Sequence, residues 1–192
     1  VLSKAAQAKK ELFTHRIPNC FLPITEGWKE ESGRLTALQE VSQQMLLMQQ
    51  LPERCLINVQ MKVQGAQQAG VILHAEEDMK EGYYLYVEPE RKRLVYRSWL
   101  RMSEGGGKTF PYDVEMETPV RDTGDGSYHM EIVTEGSIGV VYVNDEAALS
   151  FRMYDFKDRR LSLFSFGKTV FESVSMSVME RYPENKEEIR CE

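Results

Sequence analysis

At 192 residues and 22.2 kDa, the chain suits one domain with extensions and is long enough to bury a substantial core. Its net charge of −6 and pI of about 5.3 argue against a nucleic-acid binder, whose footprint is a basic surface. No apolar run approaches the roughly 20 residues of a membrane span, and no signal peptide is visible.

The chain starts at Val1 rather than Met. It therefore reads as a fragment, and the missing signal says little about the location of the parent. Cys20, Cys55 and Cys191 are scattered and odd in number. They make neither a disulfide framework nor a metal pattern, so unpaired thiols in a reducing, cytoplasmic setting are expected. His15, His74 and His129 lie far apart without ligand spacing, so no metal or other cofactor is expected.

In chain order, residues 1–23 read as a connector. Ser3 to Leu12 (SKAAQAKKEL) favours a short helix with Ser3 as N-cap, and Pro18 and Pro23 interrupt the chain beyond it. The stretch LTALQEVSQQMLLMQQL poses a conflict. Leu35, Leu38, Val41, Met45 and Met48 fall near helical spacing among good helix formers, which predicts a helix ended by Pro52.

From there β signals dominate. Leu56 to Val63 (LINVQMKV) alternates as a half-buried strand does. Gly70 to His74 is a short apolar run, expected of a strand covered on both faces. Gly82 to Glu88 (GYYLYVE) and Arg93 to Trp99 (RLVYRSW) are aromatic and β-branched, joined by a Pro89–Lys92 hairpin loop. A Gly105–Gly107 linker leads to strands at Tyr112–Glu117 and Tyr128–Thr134, separated by the turn Thr123-Gly124-Asp125-Gly126. Two strands flank Asn144-Asp145, and Leu161–Phe166 and Val170–Val178 complete the series. Short strands with turn signals between them predict an antiparallel sandwich or barrel. Residues 180–192 are polar and acidic, a tail.

Taken together in order, several segments resemble a known family. They are Gly33-Arg34-Leu35, Leu51-Pro52-Glu53, Gly70-Val71-Ile72-Leu73, Gly82-Tyr83-Tyr84-Leu85 and Glu88-Pro89. Asp125-Gly126-Ser127-Tyr128, Val141-Tyr142-Val143-Asn144-Asp145, Ala148 to Tyr154 (ALSFRMY) and Leu161-Ser162-Leu163-Phe164 come later. The succession, over residues 24–179, is similar to the C-terminal β-sandwich of glycoside hydrolase family 32, the invertases, levanases and other β-fructosidases. The YVND…ALSFRMY run is the most specific part. The resemblance implies an all-β, two-sheet antiparallel sandwich of the concanavalin-like, jelly-roll kind, after a short N-terminal helix or linker. It also turns the Leu35–Leu51 conflict toward strands.

Enzymes of that family are retaining glycosidases whose two carboxylates stand roughly 5 Å apart on an N-terminal five-bladed propeller. The propeller signatures Trp-Met-Asn-Asp-Pro-Asn-Gly, Arg-Asp-Pro and Glu-Cys do not occur in this sequence. Asn144-Asp145 is followed by Glu146-Ala147 and lies between two apolar strands, so it reads as a turn rather than a nucleophile. Glu76-Glu77-Asp78 reads as a solvated loop. SEGGGKT departs from a phosphate-binding loop and reads as a flexible connection.

The chain alone is therefore expected to be non-catalytic, an accessory module that supports a propeller or forms interdomain or homodimer contacts. A fructan-binding module, like the family 66 carbohydrate-binding modules, is the alternative, and a standalone enzyme with an unrecognised site is a third reading. For sugar binding, Tyr84, Tyr86 and Glu88 share one strand face, and Arg97, Trp99 and Arg101 share another. Aromatic rings suit the apolar faces of sugars, and forked or charged groups suit their hydroxyls. Whether the two faces coincide depends on register, and the first reading of the set is that the aromatics are core residues and the arginines solvated. Arg152, opposite in direction to Phe151 and Met153, reads first as an ordinary ion-pair residue, with contact to a sugar or to an acidic partner as the alternatives.

Overall fold

The computed structural model describes residues 15–17, 27–76, 81–100, 115–154, 156 and 160–178. Every regular element among them is a strand. In chain order these are β1 (His15–Ile17), β2 (Trp28–Glu31), β3 (Arg34–Ala37), β4 (Gln43–Gln50), β5 (Arg54–Val63), β6 (Gln68–Ala75) and β7 (Glu81–Glu88). Then come β8 (Arg93–Leu100), β9 (Glu115–Pro119), β10 (Ser127–Glu135), β11 (Ile138–Val143), β12 (Ala147–Arg152), β13 (Arg160–Phe166) and β14 (Thr169–Val178).

All pairings are antiparallel and build two sheets. One runs β12-β11-β10-β5-β14-β3-β2, with β1 also paired to β14, and the other runs β4-β13-β6-β7-β8-β9. Of the expected connector, the three described residues form β1; the expected helix, the glycine linker at 105–107 and the polar tail lie outside the described residues.

The sheets face each other across one core. Ile57, Val59, Met61, Met130, Ile132, Val141 and Phe171 from the larger sheet meet Leu46, Leu73, Leu85, Leu94, Tyr96 and Leu163 from the smaller. The strands of the larger sheet alternate as a half-solvated sheet should. In β10, Tyr128, Met130, Ile132 and Thr134 point inward, and Ser127, His129, Glu131 and Val133 are only partly covered.

The smaller sheet departs from that pattern. Its strands β6 and β7 are buried at every position after the first, because its outer face carries a second apolar cluster of Leu47, Ile72, Ala75, Tyr84, Tyr86, Val95 and Phe164. This explains the conflict at Leu35–Leu51, where β3 and β4 form instead of a helix. In β4, Leu46 and Met48 face the core and Leu47 faces the second cluster. Two buried faces erase the alternation that marks a strand. Two members of the helical set, Leu38 at 46% and Val41 at 79% exposure, lie between the strands and form no face.

Leu161 is opposed by an extra residue on both of its neighbours, since Arg160 pairs Ala75 and Gln50 while Ser162 pairs Ile72 and Leu47. In β6 the surplus falls by His74, whose φ is 53°. Its Nδ1 lies 3.1 Å from the Phe156 carbonyl, and a carbonyl only accepts, so this nitrogen carries the proton.

Candidate functional site

Register answers the question that the sequence left open. Tyr84 lies opposite Arg97, Tyr86 opposite Val95, Glu88 opposite Arg93 and Gly82 opposite Trp99. Directly opposed residues of an antiparallel pair share a face, so the two predicted sets coincide on the outer face of the six-stranded sheet. Trp99 belongs there by its register position; Arg101 lies outside the described residues.

Neighbouring strands add groups that were not singled out from sequence. Phe164 and Gly70 stand in the row of Tyr86. Tyr84 meets Phe164 edge-on at 5.1 Å and 82°, and Tyr86 tilts against it at 5.8 Å. The Tyr84 hydroxyl points to Met45 Sδ at 3.7 Å. The sequence signals for Phe164 are the alternation in Leu161–Phe166 and its place in the family-like segment Leu161-Ser162-Leu163-Phe164.

Gly70 makes the row possible. A Cβ there would lie 2.0 Å from the Leu85 carbonyl and 2.7 Å from Tyr86 Cα. Between Gln43, Gln68, Arg97 and the rings of Tyr84 and Phe164 remains a small cleft of about 140 Å³. The rings themselves are closed in, with Tyr84, Tyr86 and Phe164 exposed by only 6%, 5% and 3%.

Glu88 is committed to its neighbours. Its carboxylate accepts from Gln68 Nε2 at 2.8 Å and Arg93 Nε at 2.5 Å, with Arg91 at 3.7 Å. Arg93 also binds Glu117. Burial alone would push the Glu88 carboxyl up. Hydrogen bonds from Arg93 and Gln68, with the charges of Arg93 and Arg91, outweigh that and hold it below its ordinary value. The network clamps β6, β7, β8 and β9 side by side.

Arg152 is elsewhere, on the edge strand β12 of the other sheet. Its side chain is exposed and makes no ion pair among the described residues, so the ion-pair reading has no partner there. Its carbonyl accepts from the Tyr96 hydroxyl at 2.5 Å. It borders a cleft of about 330 Å³ between the sheets, shared with Ser98, Ile138, Ser150 and Tyr154. These neighbours escaped the sequence reading. The available signal was Tyr154, two residues after Arg152 and hence on the same side of an extended chain.

Asn144 and Asp145 are a turn. Both have left-handed φ, 52° and 56°, and Glu146 N–H closes the turn on the Val143 carbonyl at 3.1 Å. That is the φ pattern of a type I′ hairpin, which suits Asn and Asp. Asn144 is also tied to His129 of β10 through its backbone N–H and its Oδ1. Neither residue is arranged as a nucleophile.

Known proteins share this architecture. The model of the family described as glycosyl hydrolases family 32 C terminal matches residues 29–179. No curated protein matches the chain. Among solved structures, the carbohydrate binding module CBM66 from Bacillus subtilis is similar at TM-score 0.63 and 14% identity, over 84% of this chain and 96% of that one. A fructosyltransferase from A. japonicus is similar at TM-score 0.65 and 19% identity, over 94% of this chain but 29% of that one. An Aspergillus kawachii beta-fructofuranosidase gives TM-score 0.62 and 14% identity, over 93% of this chain and 30% of that one. Identities this low speak for the fold alone, and the chain spans under a third of either enzyme. The family match covers the sandwich from β2 to the end of β14: the chain belongs to the glycosyl hydrolase family 32 C-terminal family, and its two sheets are that family's C-terminal β-sandwich.

Proposed function

We propose that this chain is a non-catalytic accessory module of a β-fructosidase-type glycoside hydrolase, seated against a five-bladed catalytic propeller. The observation that carries this reading is the second apolar cluster on the outer face of the six-stranded sheet, behind the face that packs in the sandwich core. An antiparallel sheet with one face in a sandwich core normally turns a polar face to water. A sheet with two apolar faces is built as an inner layer, as suits a domain that lies beside further protein. Half-buried Met45 and Phe166 form the rim of the outer cluster and are the contact points in this reading. The whole enzyme would supply the paired carboxylates from its propeller and act on sucrose or fructans.

The coding sequence upstream of Val1 tests the proposal first: it should encode a propeller carrying the two carboxylates. That propeller, expressed with this chain as a separate polypeptide, should co-purify with it. The double variant Met45→Glu, Phe166→Glu should separate them. An upstream sequence without a propeller, or sucrose hydrolysis by this chain alone, would overturn the reading.

A second reading, a fructan-binding module, has its own supporting observation. Tyr84, Tyr86 and Glu88 share a face with Arg97 and the position of Trp99, beside the cleft lined by Gln68 and Gln43. Arg152 contributes to it only from a separate place. Replacement of Arg97 by Ala should then weaken retention on levan in affinity electrophoresis, and unchanged retention would count against that face.

A further inference from the structure

We infer that the edge cleft between β8 and β12 is a carbohydrate-recognition site for the terminal ring of a neutral oligosaccharide. The inference deepens the second, sugar-binding reading and rests on it, but places recognition at a site separate from the outer face of the six-stranded sheet.

The cleft has a rigid aromatic floor. Phe151 stacks on Tyr96 at 4.8 Å with 20° between ring planes, and Tyr96 stacks on Tyr83 at 5.9 Å and 11°. Gly139 lets Phe151 lie flat over its own partner strand, for a Cβ there would stand 2.2 Å from the ring. The Tyr96 hydroxyl holds the Arg152 carbonyl, so the backbone at the mouth is fixed from below.

The mouth offers a different chemistry. Met153 is buried, its N–H donating to the Ser137 carbonyl at 2.8 Å, and this extended stretch sends Arg152 and Tyr154 out together. Tyr154 is 71% exposed and Ile138, opposite Arg152 in the ladder, is 44% exposed. These are two of the four large apolar side chains left in water among the described residues, and both line this cleft. Ser98 and Ser150 add hydroxyls. The guanidinium of Arg152 is free of ion pairs among the described residues and offers a planar fork of donors.

An exposed ring, a forked donor and hydroxyls around an apolar floor match a sugar ring. Its C–H face lies on the aromatic, and its neighbouring hydroxyls are bridged by the fork. A volume of about 330 Å³ sits at the small end of ligand sites, which favours one ring over a long chain segment. Among the described residues, Arg152 is the only charged one in the lining. Phosphate sites gather several donors, often at helix N-termini or backbone nests, so a neutral ligand fits better than an anion.

The test is calorimetric titration of the full chain with levan and inulin oligosaccharides, sucrose and dextran, with heparin as the polyanion. Binding to a neutral glycan is expected. Affinity should fall at least tenfold in Arg152→Ala and in Tyr154→Ala, persist in Tyr154→Trp, and stay unchanged in Arg54→Ala, a surface ion-pair residue on another strand. Both target side chains are exposed, so thermal unfolding should confirm intact variants. Three results would overturn the inference: no binding to any neutral glycan, neutral binding that survives both alanine variants, or binding to heparin alone that vanishes with salt.

Discussion

Asn144 and His129 are joined by a reciprocal pair of hydrogen bonds. Asn144 N–H donates to the His129 carbonyl at 2.9 Å, and His129 N–H donates to Asn144 Oδ1 at 2.8 Å. A side-chain amide thus completes the β10–β11 ladder where the chain begins to turn. Asn144→Ala removes that acceptor and the tolerance of left-handed backbone. The expected loss is about 2 kcal/mol, a fall of about 4–8 °C in Tm for a domain of this size. Asp145→Gly, at φ 56°, should instead raise stability by about 0.5 kcal/mol. Thermal unfolding of the two variants checks both signs.

Two glycines separate space from backbone conformation. Gly33, φ 79°, has nothing within 4 Å of an added Cβ, whereas Gly70 has backbone atoms at 2.0 Å and 2.7 Å. Gly33→Ala is expected to cost about 1 kcal/mol through its left-handed φ. Gly70→Ala is expected to cost about 3 kcal/mol, because backbone on a paired strand cannot step aside as a side chain would. Urea midpoints at constant m-value read the difference.

The carboxyl of Glu88 makes stability depend on pH. Its folded pKa is below the ordinary value, so the folded state binds fewer protons than the unfolded state. The stabilisation is fully present above the unfolded pKa and is lost as pH falls through the folded one. Glu88→Gln should cost about 2 kcal/mol at pH 7, the scale of hydrogen bonds to a charged group. The gap to the parent protein should narrow below about pH 4, measured by urea unfolding across that range.

The thiol of Cys55 is fully buried, 3.1 Å from Thr134 Oγ1. Burial pushes it up to about 11, more than the hydrogen bond to Thr134 lowers it. At pH 8 about one molecule in a thousand would carry the thiolate. In a Cys20→Ser, Cys191→Ser background, Ellman's reagent should leave the native protein untouched and titrate one thiol after unfolding. Because the folded pKa is raised, this group's contribution is present below the unfolded value and erodes as pH climbs through about 11.

How much of each strand is legible in sequence depends on how many of its faces are buried. Leu56–Val63 alternates, and β5 appears where the alternation places it. In β4 the run Leu46-Leu47-Met48 is buried throughout, and such a run has no period to read. The coincidence of Tyr84 with Arg97 needed register, which the Pro89–Lys92 turn fixes through the Lys92 N–H to Pro89 carbonyl bond at 3.1 Å. The cleft beside Arg152 was less accessible still, since Ser98 of β8 and Tyr154, just past edge strand β12, are brought together only by the packing of the two sheets.

The sheet with two apolar faces has a consequence for how this sequence can change over generations. In β10, Ser127, His129, Glu131 and Val133 can be exchanged with little effect on the core, so half of the strand is free to drift. In β7, from Gly82 to Glu88, no residue has that freedom. Substitutions tolerated in a saturation library should therefore thin out from the larger sheet to the smaller. The strands hardest to recognise by pattern should be the slowest to diverge.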